Sequence, residues 1–244
     1  MSDPMPIVRL SFDFDDFLSP ATKRAALLDP ALDHLQMQYG EATWRALRLG
    51  FLGGLEQAEV EGIPDLPVPV PSAIAMRGDE WLLSEGMIEL PEGPVAVYEL
   101  LLGPSGPELT AEARAWLAAL GGVPLTLYEV GARTPDGHLC LRNALYPRRP
   151  MRRVQDDPLT TDGLTRGEIV GARVVRWEDE DVVAGAIYPF RKKAVKFLGG
   201  VRKEARDVEP GVCRIPGEGE RLVDLFVSQA MAWLWVQGVV RSGS

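Results

Sequence analysis

The spacing of apolar residues changes from helical to strand-like at Gly121-Gly122, and that change restricts the fold to an α+β arrangement. Before it, apolar residues recur every three or four positions. Ser19-Pro20 and Asp29-Pro30 each read as a helix N-cap followed by a first helical position. Helical spacing then runs through Leu32, Leu35 and Tyr39 and, past Gly40, through Trp44, Leu47, Phe51 and Leu55. Prolines at 64, 67, 69 and 71 make 63–71 an extended linker. Residues 73–102 read as two short helices around the turn Leu90-Pro91-Glu92-Gly93-Pro94. Thr110-Ala111-Glu112 caps a further helix carrying Ala113, Trp116, Leu117 and Leu120, which Gly121-Gly122 stops.

After the glycines, short strands take over. Leu125–Ala132 and Leu139–Leu145 flank the hairpin signal Asp136-Gly137. Glu168–Trp177 and Val182–Tyr188 flank the acidic turn Glu178-Asp179-Glu180-Asp181. Their spacing predicts a small antiparallel β-barrel-like domain. Two helices close the chain, Phe190–Arg206 and Leu222–Val240. The expected organisation is therefore a helical region over 1–122, a β-domain over 123–189, and C-terminal helices over 190–244. Trp81, Trp116, Leu127 and Val174 are the expected core markers.

Several classes of chemistry lack their residues. The 244-residue chain is 46% hydrophobic and 25% charged, as globular proteins are. Its two cysteines, Cys140 and Cys213, are too few for a disulfide framework or a four-cysteine zinc site. Only His34 and His138 are available for imidazole chemistry, and no Walker, GxGxxG, GxSxG or HExxH motif occurs. No cofactor is expected. The opening residues MSDPMPIVRLSFDFDDF carry acids where a signal peptide carries bases. Asp224, Ser228, Gln229 and Gln237 interrupt the apolar run Leu222–Val240, which marks a core helix rather than a membrane span. The expectation is a cytoplasmic protein with reduced cysteines and no membrane association.

Charge is unevenly distributed. Residues 1–147 hold 9 Lys/Arg against 21 Asp/Glu, whereas 148–206 hold 14 against 9, within a chain of net charge −9. Two basic clusters produce the reversal. Arg148, Arg149, Arg152 and Arg153 surround Pro150-Met151 in a connection between strands, and guanidinium forks suit phosphate. The helix 190–206 places Phe190, Ala194, Phe197, Leu198 and Val201 within an arc of about 100°. Lys192, Lys193, Lys196 and Lys203, four of the five lysines, lie on the remaining surface with Arg191, Arg202 and Arg206. These arginines and lysines are the candidate polyanion-binding residues.

Other clusters have simpler structural readings. Asp13, Asp15 and Asp16 alternate with Phe12, Phe14 and Phe17 as an acidic strand face does, although paired carboxylates also suit Mg²⁺. The run 178–181 belongs at a solvated hairpin tip. His138 and Cys140 share one strand face, but the sequence offers no further ligand beside them. No metal site is expected. Trp233 and Trp235, two apart on a helix, point in different directions, one into the core and the other toward an interface.

Residues 81–190 resemble a family of uncharacterised bacterial proteins in which a helical region precedes a small β-domain, some members carrying a C-terminal SEC-C zinc-binding motif. The matching residues are Trp81-Leu82-Leu83, Leu109-Thr110-Ala111-Glu112 leading into Leu120, Leu127-Tyr128-Glu129-Val130, Gly137, Leu139, Leu141-Arg142, Gly167-Glu168-Ile169, Ala172-Arg173-Val174-Val175, Gly185 and Tyr188-Pro189-Phe190. The clustered cysteines of SEC-C are absent, so the resemblance implies a fold without implying zinc or catalysis. The sequence thus points to a non-enzymatic binding or adaptor protein with a protein partner. The alternatives are a nucleic-acid-binding protein using 148–206 and a metal-dependent hydrolase using the N-terminal carboxylates.

Overall fold

The computed structural model describes residues 20–52, 69–157, 161, 163–208 and 218–242. Asp13, Asp15, Asp16 and Cys213 lie outside the described residues, as does most of the proline-rich segment. The fold is α+β, with N-terminal helices, a curled mixed sheet and C-terminal helices. Helix α1 spans Pro20–Ala26 and α2 spans Asp29–Leu52, kinked at Gly40, whose φ of 73° is open to glycine. Helix α3 spans Pro69–Glu85, so Pro69 and Pro71 begin a helix rather than end a linker; proline's fixed φ and missing N–H suit a first turn.

The next segment departs from the expected pair of helices. The turn at 90–94 is present, but it joins strands β1 (Met87–Leu90) and β2 (Gly93–Ala96). Only then does α4 follow, over Val97–Leu102. Helix α5, Ala111–Leu120, starts and stops as the sequence predicts. Thr110 Oγ1 accepts the Ala113 N–H at 3.1 Å, and Gly121 N–H reaches Leu117 O.

Five strands form the main sheet: β3 (Thr126–Thr134), β4 (His138–Asn143), β5 (Arg152–Gln155), β6 (Ile169–Trp177) and β7 (Glu180–Phe190). Their ladders run β3-β4-β5-β7-β6 and return to β3. Four ladders are antiparallel. The fifth, β5 with β7, is parallel and only two residue pairs long, so the sheet is mixed where a wholly antiparallel one was expected. Strand β5 is itself unforeseen. Arg152 and Arg153 begin it instead of lying in a connection, and only Val154 is buried.

Alternation along β6 divides the core into two parts. Val170, Ala172 and Val174 turn inward, packing with Tyr128, Val130, Leu139, Leu141, Val154 and Val183. Ile169 and Val175 turn outward to a larger core shared with Leu82, Leu83, Trp116 and Leu117. The C-terminal helices are α6 (Lys193–Val208) and α7 (Glu218–Ser242), and α6 packs on α7. Pro189 and Phe190 belong to β7, so the basic helix begins three residues later than expected. Trp81, Trp116, Leu127 and Val174 are all buried, as predicted. Trp235 is buried while Trp233 is 42% exposed. No helix among the described residues is long and apolar enough to cross a membrane.

One buried polar cluster ties the layers together. Arg173, on the outer face of β6, is fully buried and bonds Glu80 Oε1 at 3.0 Å, Ser84 Oγ at 2.8 Å and Glu85 Oε1. Ser228 of α7 donates to the same Glu85 oxygen at 2.6 Å and accepts the Leu125 N–H at 2.9 Å. Burial opposes the charge on Arg173, but the Glu85 and Glu80 carboxylates outweigh it and hold the guanidinium protonated well above its ordinary range. Gly185 lets Glu80 in. It has φ 64°, and a Cβ there would overlap the Glu80 carboxylate. Gly185→Ala should therefore cost about 2–3 kcal/mol, combining left-handed backbone strain with a disturbed ion pair. Chemical denaturation of wild type and variant checks this.

Candidate functional site

The candidate basic residues divide into two groups. Three of the four arginines are engaged within the chain. Arg152 forks onto Asp181, with Nε to Oδ2 at 2.8 Å and Nη2 to Oδ1 at 2.7 Å, and its Nη1 donates to Val174 O. Burial disfavours its charge, but the Asp181 hydrogen bonds prevail and raise its pKa. Arg153 pairs with Asp136 at 2.6 Å. Hydrogen bonds from Thr134 and Arg153 hold that exposed carboxyl at about 2. Arg149 stacks 4.0 Å from the Tyr146 ring centre and lies 3.8 Å from Asp224. Arg148 is exposed.

Tyr146 is where the arginine loop meets α6. Asn143, the chain's one asparagine, accepts the backbone N–H groups of Leu145 and Tyr146 at 3.0 and 2.8 Å and turns the chain out of β4. The Tyr146 hydroxyl donates to Asp224 of α7 at 2.7 Å. From α6, Arg202 lies 3.7 Å over the same ring and donates to Leu145 O at 3.1 Å. The predicted clusters are thus brought together through Arg202 and Tyr146, a joint that sequence spacing does not reveal.

The lysines are placed differently. Helix α6 docks through Ala194 and Leu198, both buried, with Val195, Val201 and Ala205 half-buried beside them. Lys193, Lys196 and Lys203 stand on the opposite side, and Arg191 and Lys192 precede the helix; all five are exposed. Among the described residues, no carboxylate lies within ion-pair distance of Lys192, Lys193, Lys196 or Lys203. The acidic part of the chain does not neutralise them there.

Two features of this face depart from the sequence reading or go unread in it. Phe197 is 55% exposed instead of packed. It sits about 100° around the helix from Leu198, at the edge of the apolar arc, while Ala194 and Leu198 take the buried positions. Gly199 and Gly200 follow it, and a Cβ on either would meet nothing within 4 Å. Each costs the helix about 1 kcal/mol relative to alanine, with no packing among the described residues to offset it.

The remaining candidates gather little. His138 Nδ1 lies 3.5 Å from Asp136 and Nε2 lies 3.9 Å from Glu180, on the face shared with half-buried Cys140. Among the described residues, no three His, Cys, Asp or Glu side chains are grouped to hold a metal ion. The acidic turn is a tight hairpin tip between Trp177 and Glu180, with Asp181 committed to Arg152. Comparison with known protein families, curated proteins and solved structures finds no match for this chain.

Proposed function

We propose that the chain is a non-enzymatic binding protein whose partner is a polyanion held on the basic face of α6, with the curled sheet serving as a small barrel-like scaffold. One observation carries this reading. Lys192, Lys193, Lys196 and Lys203 stand exposed without an acid partner among the described residues, in a chain of net charge −9. An acidic protein has ample carboxylate to neutralise a basic helix internally, and among the described residues that pairing is not made. The arginines at 149, 152 and 153 act as scaffold for this face, since their forks are already engaged by Asp224, Asp181 and Asp136.

Charge reversal tests the reading. Lys192→Glu/Lys193→Glu/Lys196→Glu should abolish binding to duplex DNA, single-stranded DNA and RNA while leaving thermal unfolding unchanged. The three side chains lie away from Ala194 and Leu198, so the docked face is untouched. Titration of wild type and variant against the three nucleic acids at two salt concentrations gives the answer. The proposal is overturned if wild type binds none of them at low salt, where exposed charges act most strongly, or if the triple variant binds as tightly.

A further inference from the structure

We infer that the polyanion is a single-stranded nucleic acid and that Phe197 is the platform on which a base stacks. The inference rests on the polyanion reading above and goes beyond it by naming the ligand class. Helix α6 carries a specific juxtaposition. Among the described side chains Phe197 is the one large apolar residue exposed on α6, and its same-face neighbours include Lys193 four residues before it and Gly200 three residues after it. Lys196 adjoins it in sequence, and Lys203 lies one turn beyond Gly200. An aromatic ring beside a row of cations is an arrangement that takes a base on the ring and its phosphates on the ammonium groups. The open backbone at Gly199-Gly200 adds room for close approach, since no side chain stands between the two lysine positions.

Other occupants fit these observations less well. A helix that lies in a membrane interface inserts a continuous apolar face. Here that face is spent on the core through Ala194 and Leu198, and among the described side chains only Phe197 remains outside. Duplex DNA presents its phosphates but keeps its base faces stacked, so Phe197 gains nothing from it. An unpaired strand offers both groups together.

Phe197→Ala separates the possibilities. Its side chain is more than half exposed, so the fold should be unaffected, and a melting curve verifies that. Affinity for a single-stranded oligonucleotide should fall by roughly fivefold or more, the effect of losing one stacked base. Affinity for a duplex should stay within about twofold, and the salt dependence on the single strand should be unchanged because no phosphate contact is removed. Phe197→Trp should restore single-strand affinity. The inference is overturned if Phe197→Ala weakens duplex and single strand equally, if it weakens neither, or if wild type binds anionic phosphatidylserine vesicles and neither nucleic acid. Binding that depends on the lysines but not on Phe197 would leave the polyanion reading standing and remove only this one. Absence of binding to any nucleic acid removes both.

Discussion

Arg173→Met should destabilise the chain by about 3–5 kcal/mol, because it leaves Glu80 and Glu85 buried without their counter-charge. The guanidinium is wholly buried and serves three side chains of α3 at once, while Ser228 brings α7 to the same carboxylate. The effect belongs to the broken pair, not to charge as such. Adding Glu80→Gln and Glu85→Gln to Arg173→Met should therefore recover most of the loss, since a buried ionic cluster replaced as a whole by neutral groups is often nearly neutral. Urea unfolding of the two variants measures both statements. A single variant within about 1 kcal/mol of wild type would mean that the cluster is not what joins β6 to α3.

Trp116→Ala should cost a similar amount, about 3–5 kcal/mol, through lost burial and the cavity left behind. Trp116 is 2% exposed and stands edge-on to Trp177 with ring centres 5.1 Å apart at 88°. The contact seals α5 against the far end of β6. A double-mutant cycle with Trp177→Ala should return a coupling of about 0.5–1.5 kcal/mol, the amount an edge-to-face pair adds beyond its area. Additive losses would show that the two rings pack independently.

The sequence made the local elements readable and left the long-range joints hidden. The helix of Trp116 announced itself through Thr110 and Gly121 because caps are set by residues three or four apart. Strand β6 is equally plain, since Val or Ile stands on both of its faces. Strand β5 is not, because its only buried residue is Val154 and a single apolar position has no period. The hairpin at 87–96 is illegible in the sequence for a related reason. Four-residue strands flanking Pro91 and Gly93 are too short to outweigh the helical residues around them.

Charge arithmetic shows the same division. It located the basic segment but treated its cations alike. Arg173 counts toward that segment, yet it is buried against acids 88 and 93 residues away. Arg152 and Arg153 count toward it as well, and both are matched by acids at a hairpin tip. Only tertiary pairing distinguishes these from the lysines of α6. Phe197 is a subtler case. The helical wheel groups it with Ala194 and Leu198 on the apolar arc, yet tertiary packing buries those two and leaves Phe197 more than half exposed.

The most direct test of the account is the salt dependence of single-strand binding by wild type. If the α6 lysines neutralise phosphates, the logarithm of affinity should fall linearly with the logarithm of salt concentration. Three or four contacts on a single strand predict a slope of about −2 to −3, at roughly −0.7 per contact. A slope near zero, or the same slope after Lys192, Lys193 and Lys196 are reversed to glutamate, would contradict the account.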